Sequence, residues 1–115
     1  MPEVEYWRIL RADGGELIEQ YARVHYELGK VTDFVFQLCV RAMATEEDQR
    51  RIIRRYDCKH GYPHYDVYNA SGDQIRKEPI VADSIHEASL KAEEELKGHW
   101  RRFVEEYRAS IERRR

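Results

Sequence analysis

Between Leu17 and Met43 apolar and polar residues alternate through two consecutive segments, and that period of two admits few folds. In the first segment Ile18, Ala22, Val24, Tyr26 and Leu28 fall on even positions, with Glu19, Arg23, His25 and Glu27 between them. After Gly29-Lys30, Phe34, Phe36, Leu38, Val40 and Ala42 share one face while Asp33, Gln37 and Arg41 take the other. Successive side chains of a strand point to opposite sides of a sheet, so this pattern predicts two adjacent strands with one buried face. His25 belongs to the outward set and is read as a surface residue.

A sheet with one apolar face needs a cover, and the C-terminal third supplies it. Ile85, Ala88, Ala92, Leu96, Trp100, Phe103, Val104, Tyr107 and Ile111 recur every three or four residues, the stripe of an amphipathic helix. Ser84 followed by Glu87 is a capping box for its start, and Trp100 and Phe103 are expected in the core. His86 and His99 are placed on the flanks, and Gly98 suggests a kink or close packing. Arg113 to Arg115 are read as a frayed, solvated end.

Elsewhere the signals are strands and turns. Val4 to Ala12 reads as a strand closed by Asp13-Gly14-Gly15, and Ala44 to Gln49 as a polar loop or single helical turn. Arg51 to Asp57 is a fourth strand whose Arg and Ile doublets suit a sheet edge or a bulge. Lys59 to Pro63 turns, His64 to Asn69 is a fifth strand, and Ala70 to Asp73 leads into Gln74 to Ile80, where Pro79 ends the pairing. The expected fold is α+β: one domain over residues 1–115, with a curved, mainly antiparallel sheet of five or six strands and one helix at about 85–112.

Length and composition set the outer bounds. With 115 residues the chain can bury one core. No apolar run approaches the ~20 residues of a membrane span, so no membrane partner is expected. MPEVEYW lacks a secretory pattern, and the expected location is cytoplasmic. Cys39 and Cys58 show no paired spacing and are read as reduced thiols. Net charge is only −2, which rules out a globally basic nucleic-acid binder. Locally, however, Arg50, Arg51, Arg54, Arg55, Lys59, Arg76 and Lys77 outnumber Asp57, Asp66 and Asp73 between residues 50 and 77, so positive charge gathers around the most ionisable stretch.

That stretch, Ile52 to Tyr68, carries the candidate chemistry. His60 and His64 can exchange protons near neutrality, and Arg54 or Arg55 can hold phosphate oxygens. Asp57 can fix a histidine tautomer, and Tyr56, Tyr62 and Tyr65 can stack on unpaired bases. These are the parts needed to attack an RNA phosphodiester through its own 2′-hydroxyl. Gly61 and Pro63 forbid a helix across His60 and His64, so metal binding needs the turn itself to converge the rings, with Cys58 or Asp66. The bland reading has turn-capping histidines and cross-strand tyrosine pairs.

Arg55-Tyr56-Asp57, His60-Gly61 and Pro63-His64 together resemble the RYD…HG…PH signature of small prokaryotic proteins grouped with the TumE-like toxins of toxin–antitoxin pairs. The strand-rich first half, the Ala82-Asp83-Ser84 helix start and the C-terminal helix resemble the same group. Asp66 stands where many of these toxins carry a further histidine, and related proteins carry an acid there. The resemblance implies a small toxin acting on RNA and neutralised by an antitoxin with a helix-turn-helix domain.

The expected function is therefore a metal-independent, cofactor-free endoribonuclease, with His60 and His64 in acid–base roles, Asp57 beside them, and Arg54, Arg55 and Tyr65 on the phosphate. The alternative is a non-catalytic binding or oligomerisation module that docks a partner on residues 52–68. An exposed edge strand and the aromatic helix stripe would favour a homodimer.

Overall fold

The alternating segments pair as their periodicity requires. The computed structural model describes residues 2–43 and 49–112, with the side chains of residues 60 and 112 excepted. Six strands, β1 (Glu3–Asp13), β2 (Glu16–Glu27), β3 (Lys30–Ala42), β4 (Arg51–Asp57), β5 (His64–Tyr68) and β6 (Gln74–Pro79), form one curved sheet in the order β1-β2-β3-β4-β5-β6. Every neighbouring pair is antiparallel. Helix α1 (Ile85–Glu112) follows and lies across β3 and β4. The loop expected over Ala44 to Gln49 falls outside the described residues except for Gln49, as does the expected fraying of Arg113 to Arg115.

Directly opposed residues in antiparallel strands share a face. Ala22, Phe36, Tyr56 and Tyr65 are opposed in sequence across β2 to β5 and lie beneath α1. The core under the helix joins Ile18, Phe34, Phe36, Leu38, Ile53 and Tyr56 to Ala88, Ala92, Leu96, Trp100, Phe103 and Val104. The helix stripe is thus spent on the chain's own sheet, which removes it as a basis for a dimer. At its start Ser84 Oγ accepts the Glu87 N–H at 3.0 Å, while Glu87 reaches back to the Asp83 N–H rather than that of Ser84. His86 is occupied structurally, its Nδ1 accepting the Val31 N–H at 3.0 Å. Nothing lies within 4 Å of where a Cβ on Gly98 would be, so close packing does not explain that glycine.

Of the two readings of β4, the bulge holds and the edge does not: the strand sits between β3 and β5, and its irregular pattern comes from a register shift opposite Leu38 and Cys39. A bulge there inserts one residue and lets Ile53 and Arg54 both reach the covered face. The sheet's edges are β1 and β6.

Leu28 also departs from the apolar pattern, being fully exposed at φ +51° beside Gly29 at φ +76°. Consecutive positive φ values are those of a tight hairpin turn, and the register shift between His25 and Tyr26 moves the end of β2 out of phase. A left-handed conformation strains a leucine but suits asparagine. Leu28→Asn is expected to raise stability by ~1 kcal/mol, read as a higher urea midpoint.

Candidate active site on the uncovered face of the sheet

Strand alternation sends half of the sheet's side chains away from α1. Across that face run two opposed rows. Arg23, Val35, Asp57, His64 and Pro79 form one, and Trp7, Tyr21, Gln37, Arg55, Asp66 and Lys77 form the other. Helix α1 packs on the other face, yet Val35, Asp57, His64 and Asp66 are buried here as well.

The connection between β4 and β5 places the first row's key pair. After Asp57 a single 3-10 turn, Lys59–Gly61, closes with the Gly61 N–H on the Cys58 carbonyl at 3.3 Å. Gly61 at φ +86° turns the chain back through a backbone region that side chains disfavour. Tyr62 is extended, and His64 arrives directly opposite Asp57.

Asp57, His64 and Asp66 converge there. His64 Nε2 lies 3.1 Å from Asp57 Oδ1 and 3.7 Å from Asp66 Oδ2, and one donor atom from each residue falls within 4.8 Å of the others. All three residues are buried. His64 Nδ1 lies 3.2 Å from the Tyr62 carbonyl oxygen. Asp57 Oδ1 accepts the Lys59 N–H at 3.2 Å, and Asp57 Oδ2 pairs with Arg55 Nε at 2.9 Å, the N–H turned off the line of a true hydrogen bond. Asp66 Oδ1 is buried with no hydrogen-bond partner among the described residues. Lys77 is the cross-strand neighbour of Asp66, and its ammonium stands 6.0 Å from the Tyr62 ring, which leans on His64 at 5.1 Å. Burial, and then the Asp66 charge, push the nearby Tyr68 phenol up.

Of the residues singled out in the sequence, Arg55, Asp57 and His64 meet at this centre. Arg54 and Tyr65 do not: they lie on the covered face, and their assignment to the phosphate is corrected. Arg54 donates to the Tyr56 hydroxyl at 2.8 Å, pairs with Glu95 of α1 at 3.4 Å, and stacks 3.9 Å from the Phe103 ring and 4.3 Å from that of Tyr65. Tyr56 is fully buried, whereas Tyr62 is 46% exposed and presents its ring to solvent. His60 belongs to the 3-10 turn, but its side chain lies outside the described residues.

Cys58, named as a potential ligand, is turned away. Its thiol donates to Asp33 Oδ1 at 2.9 Å, and burial together with that carboxylate pushes it up to about 11. Cys39 is likewise free and buried, its thiol pushed up to about 12. Sequence reasoning gave Asp66 only a subsidiary part and passed over Lys77. The Ala70 to Asp73 hairpin was the available signal, because it sets the register that opposes them.

Fold and site together define an α+β protein with an antiparallel meander, one face sealed by a helix and the other bearing a buried Asp–His–Asp centre. The chain belongs to the family described as Domain of unknown function (DUF7718), whose model matches residues 1–113. Neither curated proteins nor solved structures give a significant match. Among the described residues no helix is long and apolar enough to cross a membrane.

Proposed function

We propose that the protein is a toxin-like endoribonuclease that cleaves single-stranded RNA on the uncovered sheet face. The observation that carries this reading is the convergence of Asp57, His64 and Asp66 within 4.8 Å, flanked by Arg55 and Lys77. Breaking a phosphodiester requires an activated attacking oxygen and positive charge for the oxygens that gain electron density. The two carboxylates and the imidazole form the activating group, and Arg55 and Lys77 supply the charge. Tyr62, 46% exposed, offers a stacking surface for unpaired bases.

The resemblance to TumE-like toxins supports the same reading and adds a helix-turn-helix antitoxin as partner. A homodimer would form through the exposed edges of β1 or β6.

Cleavage of a labelled single-stranded RNA tests the proposal. Wild-type protein is expected to cleave it, and His64→Gln and Asp66→Asn variants with unchanged circular dichroism are expected to lose at least ~100-fold in rate. If folded wild type leaves several RNAs intact with and without divalent metal, the nuclease reading falls. The uncovered face is then a docking surface for a partner.

A further inference from the structure

We infer that Asp57, His64 and Asp66 are the protein ligands of a divalent first-row transition-metal ion. The inference shares its residues with the proposed activity but does not depend on it.

The neighbours of His64 fix its tautomer. A carbonyl oxygen only accepts, so Nδ1, 3.2 Å from the Tyr62 carbonyl, carries the proton. In the neutral ring Nε2 is then a bare lone pair, and it faces two carboxylate oxygens at 3.1 and 3.7 Å. Three electron-rich atoms pointing together in a buried site repel one another unless something positive stands between them. A proton on Nε2 would satisfy the Asp57 contact alone. It would leave Asp66, only 7% exposed and with Oδ1 unpartnered among the described residues, as a buried carboxylate without a full set of bonds. A divalent cation engages all three groups at once.

Distances and outer contacts agree. At metal–ligand bonds of about 2.1 Å, neighbouring ligand atoms lie ~3.0–3.4 Å apart in octahedral or tetrahedral geometry. The two His64 separations, 3.1 and 3.7 Å, are in or close to that range, and the widest separation, within 4.8 Å, closes to it by side-chain rotation of the aspartates through up to about 1.4 Å. Each of the first two ligands is held from behind, His64 by the Tyr62 carbonyl and Asp57 by Arg55 and the Lys59 amide, the pattern that orients metal ligands. An imidazole nitrogen disfavours Mg²⁺ and Ca²⁺, and the absence of a thiolate fits Mn²⁺, Fe²⁺ or Zn²⁺. Three protein ligands leave positions for water or a phosphate oxygen, the arrangement of a catalytic rather than a purely structural ion.

Mn²⁺ binding to EDTA-stripped full-length protein is the test, followed by loss of the free-ion electron paramagnetic resonance signal and by the shift in thermal midpoint. One ion per chain is expected, with a raised midpoint and nitrogen hyperfine coupling from His64. Asp66→Asn should weaken binding at least ~10-fold, and His64→Gln should abolish the nitrogen coupling, both in variants of wild-type circular dichroism. Absence of binding to folded wild type, or binding unchanged by both substitutions, overturns the site. Binding without RNA cleavage supports the metal site and removes only the nuclease reading. Cleavage by metal-stripped protein that takes up no Mn²⁺ overturns the metal site and keeps the nuclease.

Discussion

Arg54→Ala is expected to lower the unfolding free energy by ~3–4 kcal/mol, measured by urea denaturation. The side chain is 5% exposed and lies between β4 and α1, where it links the Tyr56 hydroxyl to Glu95 and stacks on Phe103 and Tyr65. Truncation strips the Tyr56–Glu95 pair of its cation, removes the stacking, and opens a void beneath the helix. Arg54→Lys should recover little, because an ammonium cannot reproduce a flat guanidinium that both stacks and donates sideways. A loss below ~1 kcal/mol would mean that Arg54 does not pack beneath the helix, and would make it available again to a phosphate.

Glu19→Ala is expected to cost ~3 kcal/mol, with a pH signature that separates it from a packing defect. Glu19 is 4% exposed and accepts from Arg41 at 2.8 Å and Arg50 at 3.0 Å; the Arg50 guanidinium also covers the Trp7 ring at 3.7 Å. Burial pushes the Glu19 carboxyl up, but the hydrogen bonds and charges of Arg50 and Arg41 outweigh it. The net shift is below the ordinary 4.5. A lowered folded-state value means that the unfolded chain binds the proton more readily, so the carboxylate stabilises the fold above about pH 4.5 and that contribution fades as pH falls through the folded value. The stability gap between wild type and Glu19→Gln should therefore hold above about pH 4.5 and shrink as pH falls below it. A gap independent of pH would show that the ion pairs do not hold this end of the sheet.

Periodicity along a single strand or helix is local, whereas register and bulges are not. Ile18, Ala22 and Val24, then Phe34, Phe36 and Leu38, declared a buried face because strand alternation is local, and the stripe from Ala88 to Val104 declared its cover for the same reason. β4 resisted that reading because a bulge breaks the period of two, and an arginine beside isoleucine looks like an edge until the helix above it is seen to carry Glu95. Leu28 misled in the opposite direction, its apolar side chain continuing a pattern that the backbone had already left for a turn.

The candidate site divides along the same line. Its ionisable residues, its turn between Asp57 and His64, and the resemblance carried by Arg55, Tyr56, Asp57, His60, Gly61, Pro63 and His64 are all contiguous in the chain, and local chemistry was enough to pick them out. Which of them share a face was not. Side chains one residue apart point to opposite sides of a sheet, so Arg54 and Arg55, equivalent as letters, separate into a core cation and a site cation. Alternation along β5 puts Asp66 on the face of His64, and only strand register sets that pair opposite Asp57 and Arg55 and brings Lys77 of β6 against Asp66. The sequence alone determined the elements and the chemical content of the central turn, because periodicity and turn residues act over a few positions. The tertiary structure decided the membership of the site, because the bulge in β4, the register of β5 and β6, and the face chosen by α1 are settled by contacts between residues far apart in the chain.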